Sequence, residues 1–181
     1  AAAVLLNQAG HSVTVYEKNK FPGGLLRYGI PDFKLNKEII ERRMRILEES
    51  GIEFVLGTEI GTDVSAEYLR KRCDALLITC GTPVPRDLKI PGRELKGIHF
   101  ALEFLQGQNR VNSGELPGLP VSAKGKRVLV IGGGDTGSDC VGTANRQGAR
   151  SVTQIEIMPR PPEKRSESTP WPNWPYILRT S

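Results

Sequence analysis

The chain has 181 residues, 38% of them hydrophobic and 25% charged, with a net charge of +5. No apolar run approaches the roughly 20 residues that span a bilayer, which argues against a membrane segment. Lys and Arg are spread along the chain rather than clustered, which argues against nucleic acid as a partner.

In chain order, AAAVLLNQAG reads as the end of a helix, because alanines favour helix and Gly10 suits its C-terminal stop. HSVTVYEK is a short β-branched strand that ends at Glu17. FPGGLLRYGIPDFKL follows; its Gly23 and Gly24 let backbone approach a ligand, and Arg27 and Lys34 add phosphate donors. NKEIIERRMRILEESG is an amphipathic helix with Ile39, Ile40, Met44 and Leu47 on one side and Gly51 as stop. IEFVLG is a strand, SAEYLRKR a short helix capped by Ser65, and DALLITCG a strongly apolar central strand. ELKGIHFALEFLQGQ is helical. QNRVNSGELPGLPVSAKG is a polar, Gly/Pro-bearing connector that marks a domain boundary. KRVLVIGGGDTGSDCVGTANRQG is a strand, a glycine turn and a helix, and the tail MPRPPEKRSESTPWPNWP is irregular.

Two of these stretches repeat. NQAGHSVTVYE and NRQGARSVTQIE share one order of residue types, each a helix end, a glycine and a strand closing on a glutamate. Each is the second half of a βαβ unit. The later copy has its front half; the earlier copy begins inside its helix. The chain therefore reads as a fragment of a longer protein, with the first strand and glycine loop upstream.

Gly132, Gly134 and Gly137 spell GxGxxG directly after an apolar strand and at the opening of a helix. The first glycine makes the turn, the second admits a pyrophosphate, and the third packs helix on strand, while free helix N–H groups face the phosphates. Glu156 lies about 20 positions on, where a ribose-binding acid belongs. That context points to a dinucleotide. By the repeat, Glu17 takes the equivalent ribose position for an adenine nucleotide.

The three cysteines, Cys73, Cys80 and Cys140, are far apart with no CxxC. They form neither a disulfide framework nor a metal site among themselves and read as small buried apolar residues in a reducing cytoplasm. His11 and His99 are isolated, so no acid–base residue is assigned.

GGLLRYGIPDFKL, VPRDLKIPGRELKGIHFALEFL, VIGGGDTGSDCVGTANRQGARSVTQIE and PWPNWPYILRTS resemble the small (β) subunit family of glutamate synthase, within a wider group that includes the flavin-containing half of dihydropyrimidine dehydrogenase. The resemblance covers essentially the whole chain. It implies an α/β, Rossmann-like flavoprotein with two dinucleotide-binding domains: part of an FAD domain over 1–107, a connector over 108–123, and the first part of an NAD(P)H domain over 124–181. It implies FAD contacts at Glu17, Gly23, Gly24, Leu25, Lys34 and Ile60, and nicotinamide-nucleotide contacts at Gly133, Gly134, Asp135 and Thr136 beside Gly132 and Gly137. It further implies electron flow from NAD(P)H to FAD, then to iron–sulfur clusters outside this chain and a large subunit that makes glutamate from glutamine and 2-oxoglutarate. A related flavin reductase module feeding another iron–sulfur partner, or a non-catalytic docking fragment, are the alternatives. NADPH-using relatives carry basic residues after the second strand; here Glu156, Ile157 and Met158 stand there, which favours NADH, while Arg160, Lys164 and Arg165 follow closely enough to turn back towards a phosphate.

Overall fold

The structure is a computed structural model that describes residues 1–82 and 84–178; Pro83 and the last residues of PWPNWPYILRTS lie outside the described residues. It divides into two compact units, the first made of Ala1–Arg27 and Asp32–Ile98, the second of Tyr28–Pro31 and the chain from His99 on.

In the first unit, α1 (Ala2–Gln8) leads through Gly10, at φ +91°, into β1 (Thr14–Glu17). Few side chains tolerate that left-handed backbone, and Gly10 lets the chain leave the helix and enter the strand. After α2 (Leu25–Tyr28), a single turn that ends across the boundary between the units, comes α3 (Lys37–Glu49). β1 pairs in parallel with β2 (Glu53–Leu56), Thr14 opposite Glu53 and Glu17 opposite Leu56. Parallel neighbours need a crossover, and α3 supplies it. Asn36 caps α3 by accepting the Glu38 N–H at 2.9 Å, and Glu38 stands in the first turn, where the helix dipole favours a negative charge. Ile40 is buried and Met44 and Leu47 are half-buried, a stripe at spacings of four and three. Ile39, expected on that side, is 50% exposed because its position lies about 100° round the helix from Ile40. α4 (Ala66–Arg72) starts at Ser65, which accepts the Tyr68 N–H at 3.1 Å, and it buries Leu69.

DALLITCG does not form the expected central strand. Leu77 and Ile78 are exposed and the segment forms no ladder among the described residues. A buried parallel strand needs hydrogen-bonded neighbours and covered faces; among the described residues no strand pairs with this one. Cys80 in this segment and Cys73 at the end of α4 are exposed, against expectation, and of the three cysteines only Cys140 is buried.

The second unit holds β3 (Arg127–Ile131) and β4 (Ser151–Ile155), parallel and in register from Arg127 opposite Ser151 to Ile131 opposite Ile155. α6 (Asp135–Arg146) connects them, with Gly148 at φ +81° before β4, in the place Gly10 takes before β1. α5 (Ala101–Asn112) packs on α6 and buries Leu105, while α6 contributes Cys140 and Ala144. Buried Asn109 donates its Nδ2 to the carbonyls of Tyr28 and Ile30 at 2.9 and 3.0 Å, tying residues 28–31 to α5. Gln147 donates to Gln108 Oε1 at 2.8 Å and accepts the Ala123 N–H at 2.7 Å. The helix thus runs into the stretch read as connector, and α5 lies in the second compact unit.

No helix among the described residues is long and apolar enough to cross a membrane.

The α3 stripe gives a test. Ile40→Ala removes a buried side chain and should destabilise the protein by about 2–4 kcal/mol, while Ile39→Ala should cost well under about 1 kcal/mol. Urea unfolding of the two variants, side by side, checks the order; equal losses would mean that the buried face is misassigned.

Candidate dinucleotide site

At the end of β3 the chain turns at Gly132, whose φ of +118° is a conformation that side chains rarely adopt. The Gly132 N–H still donates to the Ile155 carbonyl at 2.9 Å, so the turn starts from the edge of the ladder. Gly134 is the N-cap of α6. A Cβ built on Gly134 would meet no atom within 4 Å, so its backbone faces open space. Gly137 is the opposite case: a Cβ there would collide with the Gly132 carbonyl and stand 2.8 Å from Gln154 Nε2. One glycine is therefore demanded by packing and another leaves room for a ligand. Asp135 and Thr136, both exposed, fill the first helical turn, where backbone N–H groups have no partner within the helix.

Glu156 follows β4 and folds back onto this turn. Its Oε2 accepts the Gly133 N–H, and its Oε1 accepts the N–H groups of Ile157 at 2.7 Å and Met158 at 3.0 Å. These bonds, that from Met158 first, hold its carboxyl below the usual carboxylate range. A Cβ on Gly133 would run into the same carboxylate. The structure thus gathers Gly132, Gly133, Gly134, Asp135, Thr136, Gly137 and Glu156 at one end of a parallel sheet, where open α/β sheets take ligands. Arg160 pairs with Glu163 at 3.1 Å, and Arg165 donates to the carbonyls of Thr169 and Asn173 at 2.8 and 2.9 Å. On α6, burial pushes the Cys140 thiol up to about 11, which keeps it protonated and a poor nucleophile at neutral pH.

In the first unit the ends of β1 and β2 are stitched together. Thr58 N–H donates to the Glu17 carbonyl and Gly57 N–H to the Asn19 carbonyl, both at 3.0 Å. Glu17 Oε1 accepts both the backbone N–H and the side-chain Nδ2 of Asn19, at 2.9 and 2.8 Å. Ile60 follows β2 in a turn closed by the bond from Gly61 N–H to the Val64 carbonyl, and it is 39% exposed. Gly24, at φ +52°, has open space where a Cβ would stand. Gly23, at φ +121°, packs instead: a Cβ would lie 3.1 Å from Ile40 Cγ2 and 3.3 Å from Arg27 Cβ. Leu25 and Lys34 are exposed in the same segment. Arg27 is not the phosphate donor expected of it. It is buried, donates Nε to the Pro22 carbonyl at 3.1 Å, meets Glu41 at 3.5 Å and lies 5.0 Å from the centre of the Phe21 ring. Its role is to fasten the loop onto α3.

Two residues escaped the sequence reading. Asn19 secures Glu17, and Gln154 donates to the Gly132 carbonyl at 2.7 Å. The signal for Gln154 was its spacing: two residues before Glu156, it shares that residue's side of an extended chain.

Strand, glycine turn, helix and strand-end acid define a Rossmann-type dinucleotide-binding unit. The chain belongs to the family described as pyridine nucleotide-disulphide oxidoreductase, which matches residues 1–169. It is 53% identical, over its full length, to the glutamate synthase [NADPH] small chain of Mycobacterium tuberculosis (strain H37Rv), of which it covers 38%. It is 50% identical over 99% of its length to the glutamate synthase [NADH] of Schizosaccharomyces pombe, covering 9% of it, and 48% identical over 98% to the Bacillus subtilis glutamate synthase [NADPH] small chain, covering 36%. Its fold matches Mycobacterium tuberculosis FprA in complex with NADPH with a TM-score of 0.69 at 24% identity, over 84% of this chain and 39% of that one. The chain thus spans well under half the length of these relatives.

The Glu156 bonds predict a pH dependence. A carboxyl whose folded pKa is depressed adds stability above its unfolded pKa and loses it as pH falls through the folded value. The wild type should exceed Glu156→Gln in stability near neutral pH, and the gap should close in acid. Unfolding curves of both proteins at several pH values check this; a gap that widens on acidification would contradict it.

Proposed function

We propose that this chain is part of a glutamate synthase small subunit that takes electrons from NAD(P)H onto FAD. In this reading residues 1–107 belong to the FAD domain, 108–123 to the connector and 124–181 to the nicotinamide-nucleotide domain. The observation that carries it is the open backbone of Gly134 at the head of α6, beside Gly137, which has no room for a side chain. The equivalent cradle for FAD is Gly24, open and left-handed, in the segment after Glu17. Both sets of residues fit their group. Glu17 would take FAD ribose through the carboxylate oxygen that Asn19 leaves unbound, with Gly23, Gly24 and Leu25 along the pyrophosphate, Lys34 as a basic contact and Ile60 near the adenine. Gly133, Gly134, Asp135 and Thr136 would hold the nicotinamide nucleotide. When bound, the two groups supply the hydride and electron chemistry; the chain binds and orients them.

The relatives named as small chains, and the far longer Schizosaccharomyces pombe relative, support a large subunit or domain as partner; iron–sulfur clusters outside this chain and a cytoplasmic setting belong to the proposal without support from those names. The relatives carry both cofactor names, so the choice between NADH and NADPH rests on local chemistry. Glu156 can accept a hydrogen bond from a ribose 2′-OH and disfavours a 2′-phosphate. Ile157 and Met158 offer only apolar side chains, and of the three basic residues that follow, Arg160 and Arg165 are engaged with other groups, which leaves Lys164 as the candidate for a phosphate contact. NADH is the preferred donor in this reading.

Stopped-flow reduction of bound FAD in the full-length protein tests both points. The kcat/KM should be higher with NADH than with NADPH. Gly134→Val, which puts a branched side chain where the pyrophosphate lies, should abolish reduction by either while FAD stays bound. Unchanged reduction in that variant would remove the turn from the site; a strong NADPH preference would overturn the role given to Glu156.

A further inference from the structure

The Gly132–Gly133 peptide is gripped at both ends. Its carbonyl accepts from Gln154 Nε2 at 2.7 Å, and its N–H donates to Glu156 Oε2. The two side chains come from residues 154 and 156, at and just past the end of β4, two apart and so on one side of the extended chain. A peptide unit is planar, so fixing the carbonyl fixes the direction of the N–H. With φ at +118°, Gly132 has the rotational freedom that makes such fixing necessary.

The two grips differ in kind. Gln154 is neutral and holds the side of the peptide that faces β4. Glu156 is an anion on an N–H group at the head of a helix, the place an anionic ligand oxygen would occupy. A nucleotide that takes the Gly133 N–H must displace the carboxylate, which then becomes free for ribose. It need not displace Gln154.

We propose that Gln154 is a positioning residue for the nicotinamide nucleotide: it holds the Gly132 carbonyl so that the Gly133 N–H stays aimed at the ligand when Glu156 lets go. This rests on the nucleotide reading of the turn. Gly137 agrees with it, since the space that glycine leaves open is bordered by the Gly132 carbonyl and the Gln154 amide together.

The test uses the full-length, FAD-loaded protein with Gln154→Leu and the isosteric Gln154→Glu, both of which lack the donor. Calorimetric titration with NAD+ and with NADP+ should show a Kd raised roughly five- to tenfold for each, the weight of one hydrogen bond. KM for the reduced nucleotide should rise alongside, with kcat at saturation, thermal midpoint and FAD content kept. A Kd within twofold of wild type in both variants would overturn the proposal, as would a loss of kcat without a change in Kd. Gly134→Val separates the two levels. If it too binds NAD+ normally, the nucleotide reading has failed; if it loses binding while the Gln154 variants keep theirs, only this inference has.

Discussion

One close approach in the second unit is the one the candidate site depends on: α6 lies against the turn so tightly that position 137 has no room for a side chain. The Gly132 carbonyl fills the space a Cβ would need. That contact sets where α6 begins, and therefore where its unpaired N–H groups point. From it follow the open Gly134, the exposed first turn at Asp135 and Thr136, and the reach of Glu156 back to Gly133. Loosening the helix would move all of these N–H groups together.

The two units use one plan with different fastenings. Each has a parallel pair of strands, a helical crossover and a glutamate just at or after a strand end. In the first, Glu17 is steadied by Asn19, two residues on in its own loop. In the second, Glu156 is steadied partly by its own loop and partly by the glycine turn across the sheet edge.

Local sequence carried most of what is seen here. Gly10 and Gly148 marked helix ends, Ser65 marked a cap, and GxGxxG marked the turn, because each acts through its own backbone or its nearest neighbours. What stayed hidden depends on partners far along the chain. DALLITCG has the composition of a buried strand, but a ladder needs a neighbour that composition does not report. Arg27 looked like a phosphate donor because its charge is legible, whereas its burial against Phe21 and Glu41 comes from the way α3 folds back. Gln154 is an unremarkable polar strand residue until the turn opposite it is known.

The measurement that bears most directly on the account is a crystal structure of the full-length protein with NAD+ bound. The pyrophosphate should lie against the backbone of Gly133 and Gly134, with Gln154 still on the Gly132 carbonyl and the Glu156 carboxylate moved from the Gly133 N–H to the ribose. A nucleotide bound away from this turn, or bound with Glu156 still on Gly133, would contradict it.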